Sequence, residues 1–277
     1  MAAERALVLG GGGLAGCAWM TGLLHGLAEA GQDVTGAELV VGTSAGSTMG
    51  AQLASGLPLS ELYARQTDPA LQSREISPEI DFAEFGEEMG GFLAAASTPE
   101  EMLRAAGGFA LAAATIPEAD RRAVIAGRLP SYSWPSSWTL QMTAVDCETG
   151  ELAVFGRDSG VALVDAVAAS CAVPGIWPPA TIGGRRYMDG GTRSMDNADL
   201  AAGAARIVVV SPLGMNSEVP SPMPLRDVVA RLSESGSQVT VISPDEASTA
   251  TFGTNPLDPA TRKPAAKAGY AQGHSGL

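Results

Sequence analysis

The stretch Ala6-Leu7-Val8-Leu9-Gly10-Gly11-Gly12-Gly13-Leu14-Ala15-Gly16 runs from four apolar residues into four glycines without a polar side chain. An apolar run without alternation suits a strand buried on both faces, as parallel strands are. The glycines stop it. In residues 14–30, Ala15, Trp19, Gly22, Leu23, Gly26, Leu27 and Ala30 fall on one side of a 3.6-residue helix. Strand, glycine loop and helix open an α/β sheet, and the pattern returns at once. Leu39-Val40-Val41 reads as a second buried strand, ending at Gly42-Thr43-Ser44-Ala45-Gly46, and the small-residue helix after it closes near Ser55 with Gly56 and Pro58 beyond.

Further along, residues 57–137 alternate acidic patches with Gly, Pro and short helical signals, which predicts a helical insertion over the core. Thr98-Pro99-Glu100-Glu101 is a helix start with an N-cap, a proline at the first position and a glutamate three residues after the cap. Gly107-Gly108 is expected to end that helix, and a second short one is expected from Pro117 to Ala126, stopping at Gly127. Two strands, 139–145 and 151–155, flank the turn Asp146-Cys147-Glu148-Thr149-Gly150. A helix over 161–171 follows, then Arg186-Tyr187-Met188 running into Asp189-Gly190-Gly191, and β-branched runs at 207–210 and 239–242 with helices near 222–235 and 259–271. The alternation predicts an α/β sheet with helices on both sides. No internal repeat and no clean domain linker interrupts it, so the 277 residues read as one domain.

Composition limits the partners. Seventeen basic against thirty acidic residues give a net charge of -13, which repels phosphate backbones and anionic headgroups at long range. Nucleic acid is excluded as an expected partner. Cys17, Cys147 and Cys171 lie far apart and form no CxxC, so neither a disulfide framework nor a structural zinc site is indicated and a reducing cytoplasm fits. Residues 1–5 carry no secretory signal pattern, and apolar stretches such as 109–116 are too short to span a bilayer, leaving only peripheral membrane contact.

Gly42-x-Ser44-x-Gly46, after an apolar strand and opening a helix, is the context of a nucleophile elbow: small flanking residues permit the tight turn that pushes Ser44 out at the sheet end. A serine N-cap in an ordinary turn reads the same way. Gly11-x-Gly13-x-x-Gly16 matches a dinucleotide fingerprint, but the acidic residue expected at the end of the next strand is missing and Glu38 lies at its wrong end. The loop's free amides serve equally as an oxyanion hole. A serine nucleophile needs a base, and the two histidines read as solvated surface residues: His25 on the outward flank of the first helix, His274 beside the C-terminus. Asp189 remains, an acidic residue after a strand with two glycines behind it, a pattern shared with any Asp-Gly turn.

Three segments in this order, Gly10-Gly11-Gly12-Gly13-Leu14-Ala15-Gly16, Gly42-Thr43-Ser44-Ala45-Gly46 and Asp189-Gly190-Gly191, resemble the patatin-like phospholipases, as does Ala169-Ser170-Cys171-Ala172-Val173-Pro174-Gly175 with Trp177-Pro178-Pro179. The resemblance covers about residues 6–212. It implies a three-layer α/β/α fold and a Ser-Asp dyad that hydrolyses acyl esters of lipids without metal or organic cofactor. Ser44 would be the nucleophile, Asp189 the proton acceptor, Gly42 and Gly46 the elbow, and the amides of Gly11, Gly12 and Gly13 the oxyanion hole. Two departures bear on headgroup preference: Ala15 stands where the family commonly has Arg or Lys, and the usual Asn-x-Pro after the aspartate is absent, with Asn197 as a replacement in shifted register.

The expectation is therefore a cytoplasmic serine hydrolase acting on a lipid or other acyl-ester substrate. Its alternatives are a nucleotide-binding protein using the first glycine loop and a catalytically silent lipid-binding relative. Residues 57–137, with Phe82, Phe85, Phe92 and Met102 among acidic residues, would serve as a lid or as a packed helical layer, and Trp177-Pro178-Pro179 would shape the pocket edge.

Overall fold

The computed structural model describes residues 3–78, 86, 90, 96–217, 219 and 221–276. Its centre is an eight-stranded, mostly parallel sheet in the order β5-β6-β3-β2-β1-β7-β8, with β4 also paired to β3. The strands are β1 (Arg5–Leu9), β2 (Leu39–Gly42), β3 (Thr139–Asp146), β4 (Leu152–Phe155), β5 (Ala180–Ile182), β6 (Arg185–Asp189), β7 (Arg206–Val210) and β8 (Gln238–Ile242). β1, β2, β3, β7 and β8 pair in parallel; β4, β5 and β6 make the antiparallel pairs.

Alternation along the parallel strands divides the core in two. Leu7, Leu9, Val40 and Val210 face one side, with α1 (Gly13–Glu29), α2 (Ala45–Ala54), α3 (Leu59–Thr67), α5 (Glu118–Arg128), α6 (Leu163–Ser170) and α9 (Arg262–His274) contributing to that cluster. Ala6, Val8, Val41, Ile207 and Val209 face the other, against α7 (Leu225–Glu234) and the short turn at Ala198–Ala201. A sheet with both faces covered explains the uninterrupted apolar runs. The remaining helices are α4 (Pro99–Ala112) and α8 (Glu246–Ala250).

The register of β3 positions the site. Its residue Met142 pairs with Gly42 of β2 and with Phe155 of β4, while Ala144 pairs with Ala153 of β4 and with Asp189 of β6. Because β4 holds one edge of β3 from Met142 to Val145, overlapping the pairing of both β2 and β6, those two share the other edge. They approach from opposite directions and stop facing each other, Gly42 and Asp189 separated by the span of Thr143. The two segments that matter most, remote along the chain, are thus aligned on one strand.

Two helices pack unusually closely. A Cβ on Gly22 of α1 would lie 2.0 Å from the Ala266 carbonyl oxygen, and one on Gly269 of α9 would lie 2.2 Å from that of Trp19. The glycines bring the two backbones together, and α9 covers the apolar flank that α1 alone leaves open.

The helix starting at Pro99 does not stop at Gly107-Gly108; it continues to Ala112. Gly107 is there for closeness, since a Cβ would lie 2.0 Å from the Cys147 carbonyl oxygen, and this contact to a distant turn outweighs the glycine's poor helix propensity. The Thr98 hydroxyl accepts from the Glu101 amide, the cap expected from sequence. α4 packs through Leu103, Ala106 and Ala110 on Val145, Cys147 and Met188, and α5 inserts Ile125 into the main core. Phe82, Phe85 and Phe92 lie outside the described residues. Among the described residues no helix is long and apolar enough to cross a membrane.

Candidate active site

Ser44 follows β2 and caps α2 with φ 53° and ψ -113°, a conformation that side chains rarely adopt and that costs about 1–3 kcal/mol when surroundings enforce it. The surroundings do so here. A Cβ on Gly46 would sit 1.8 Å from the Leu9 carbonyl oxygen, so the first turn of α2 rests directly on β1. The end of α6 supports the other side: the Ser44 amide donates to Ser170 Oγ at 3.0 Å, Ser170 Oγ meets Ser47 Oγ at 2.6 Å, and the Cys171 thiol donates to the Ser44 carbonyl at 3.2 Å.

Asp189 ends β6, and its amide donates to the Ala172 carbonyl at 2.9 Å. Its Oδ1 accepts from the Gly191 amide at 2.7 Å. Burial pushes the carboxyl up to about 7, opposed first by the Ser44 hydroxyl, then by the Gly191 amide and the charge of Arg121. Oδ2 accepts no hydrogen bond of regular geometry, so the hydroxyl bears on the carboxyl without a closed bond, as is common in unliganded sites. Ser44 and Asp189 are 8% and 4% exposed and border the same cavity of about 440 Å³.

The glycine loop lies along the cavity wall, with one change from the expectation. The Gly11 amide donates to the Met195 carbonyl at 2.7 Å, so it is not free to receive an oxyanion. Among the described residues the amides of Gly12, Gly13 and Ala45 donate to no backbone carbonyl, and all three residues line the cavity. Ala45 was legible as the residue after an elbow serine, whose amide commonly completes such a hole. Pro212 packs against Gly12 and Gly16, and the Ala15 amide donates to the Pro256 carbonyl at 3.0 Å, which takes one donor of the helix terminus that a pyrophosphate would use. Glu38 is occupied at the opposite strand end, accepting from the amides of Glu4 and Arg5.

The segment that holds Ser44 and Asp189 falls within a family match. The patatin-like phospholipase family model matches residues 7–202. The chain belongs to the patatin-like phospholipases. Two solved structures similar to this patatin-like chain are VipD from Legionella pneumophila (15% identity, TM-score 0.48, 98% of this chain and 66% of that one) and the type III effector protein ExoU (16% identity, TM-score 0.40, 98% and 53%). The chain spans about two thirds and about half of their lengths. No curated protein matches it.

In the patatin-like chain, Asn197 ties the two halves of the site. In the left-handed region at φ 48°, its Nδ2 lies within bonding distance of Thr43 Oγ1, Thr143 Oγ1 and the Gly190 and Ser194 carbonyls, at 3.1, 3.3, 3.2 and 2.7 Å. It joins the strand before Ser44 to the loop after Asp189, while Gly190 packs on Thr143. The histidines lie elsewhere. His25 is not a solvated residue: its ring sits between those of Tyr63 and Tyr270, with centroids at 5.3 Å from each, because α9 covers the flank that looked outward. His274 stacks on Tyr270, and neither histidine borders the cavity.

Cys17 and Cys171 do border it, but burial raises both thiols, Cys17 to about 11, so they stay protonated and unreactive. Trp177 and Met102 line the cavity as well. Sequence reading missed Ser170, which buttresses the elbow, Asp196, a buried carboxyl pressed against Gly10 and raised to about 7, and Arg121. Arg121 occupies one helical face with Ile125 and Arg128, a spacing visible in the sequence but without meaning until the cavity is known. Among the described residues no cluster of three or more His, Cys, Asp or Glu side chains could hold a metal ion.

Proposed function

We propose that this protein is a serine hydrolase that cleaves acyl ester bonds of lipids. The observation that carries this reading is the pairing of a strained Ser44 with the buried Asp189 carboxyl on the wall of a largely apolar cavity. Ionised Asp189 takes the proton of Ser44 Oγ as that oxygen bonds to the ester carbonyl carbon. The negative charge formed on the carbonyl oxygen is received by the amides of Gly12, Gly13 and Ala45, an arrangement in which each donor is typically worth about 10²–10³ in rate. Collapse of the adduct breaks the ester C–O bond, and the departing alkoxide takes the proton back from Asp189. Water then attacks the acyl-serine, giving its proton to Asp189, and that proton returns to Ser44 Oγ as the acid leaves. Apolar lining and an ester-cleaving centre together select acyl chains.

Ser44→Ala and Asp189→Asn are each expected to lower p-nitrophenyl ester turnover by about 10³-fold or more, and Ser44→Ala to abolish labelling by a fluorophosphonate probe. Mass spectrometry of the protein mixed with slow esters should show an acyl adduct on Ser44. Full activity in Asp189→Asn overturns the dyad; amphiphile binding with no adduct returns the silent lipid-binding reading.

A further inference from the structure

Arg121 on α5 borders the same cavity and is 5% exposed. Its guanidinium lies over the Trp177 ring, 3.7 Å from the centroid. Its Nε and Nη1 have no hydrogen-bond partner, whereas natural interiors almost always satisfy buried donors. The neighbouring charges do not supply one. Arg128 and Arg262 enclose the buried Glu75: Arg128 Nη2 reaches Oε2 at 2.7 Å, and Arg262 Nη1 lies 3.7 Å from Oε1. Arg262 is further held by Gln66 Oε1 at 2.9 Å. Three guanidiniums and two carboxyl groups, Asp189 and the Glu75 held by Arg128, therefore border one cavity, and in a chain of net charge -13 this is a local excess of positive charge. Burial lowers Arg121 only to about 9, so it is charged at neutral pH.

We propose that Arg121 anchors an anionic group of the ligand, a phosphate or a carboxylate, while the ligand's chain fills the apolar part of the cavity. This rests on reading the cavity as an acyl-ester site, and it narrows the substrate to amphiphilic esters carrying negative charge close to the scissile bond. A planar fork fixed against an aromatic face presents its donors in one plane, which suits two oxygens of an anion. A neutral ligand of the same length leaves those donors unmet, so charge, more than chain, decides selection.

The test uses the full chain with Ser44→Ala, which removes turnover but keeps the cavity, and measures binding of octyl phosphate, octanoate and octanol, three probes with one tail. At least one anion should bind more tightly than octanol, and the phosphate and carboxylate arms identify which. Adding Arg121→Met should weaken the preferred anion by roughly 10–100-fold while changing octanol far less; Arg121→Lys should restore part of the loss. Equal loss for all three probes makes Arg121 a packing residue and overturns the proposal. So does the absence of any anion preference in the chain that retains Arg121, a comparison that needs no Arg121 variant to fold. Anion preference in a wild-type chain that hydrolyses no ester sinks the hydrolase reading and leaves this one standing; ester hydrolysis without anion preference does the reverse.

Discussion

Burying a carboxyl group beside a hydroxyl, with one oxygen held by Gly191 and the other unpaired, leaves Asp189 at about 7, where an unperturbed aspartate sits near 3.9. As a proton acceptor it works only when ionised, so the sign is fixed: turnover falls as pH drops through about 7, tenfold per unit, and levels off above it. Arg121 favours the ionised form, and Arg121→Met is expected to move this limb to higher pH on a neutral p-nitrophenyl ester. Replacing His25 and His274 by Gln should leave the limb where it is; a limb lost with either histidine would refute the assignment to Asp189. At this scale the sequence carried the residue types and their order. It could not show that the Gly11 amide is spent on Met195, because that bond joins loops at opposite ends of the matched region, nor that Arg121 faces a cavity with no partner.

Among the elements, the α1 and α9 pair leaves no room for added volume. Gly269→Val forces side-chain atoms into the Trp19 carbonyl, and overpacking of about 1–3 kcal/mol corresponds to a fall in Tm of roughly 2–5 °C for a chain of this size, measurable by calorimetry. Gly160→Ala, at a turn where a Cβ meets nothing within 4 Å but φ is 73°, gives a comparison in which only local strain acts. A drop no larger at 269 than at 160 would contradict the close-packed seam. The parallel strands were legible because burial on both faces writes itself as an unbroken apolar run. β5 is three residues long and escaped notice for that reason. The continuation of α4 through Gly107 was not legible, since the contact that stabilises it comes from Cys147, beyond the reach of any local pattern.

For the whole molecule, charge is divided between surface and interior. The chain carries -13 overall, while Arg121, Arg128 and Arg262 border the cavity beside Ser44. Long-range repulsion from anionic bilayers is screened over about 10 Å at 0.1 M salt. Sedimentation with vesicles should therefore show weaker binding to phosphatidylserine-rich than to phosphatidylcholine membranes at low salt, the difference shrinking as salt rises; stronger binding to the anionic vesicles at low salt would show a basic face that outweighs the net charge. The abutting ends of β2 and β6 carry a last implication. β3 acts as a ruler on which both members of the proposed dyad are marked off, so the length of the excursion between 57 and 137 is free to drift in evolution or by engineering without changing their separation. Deleting Thr143, by contrast, removes a graduation from the ruler itself and should abolish the proposed ester hydrolysis even in a chain that still folds.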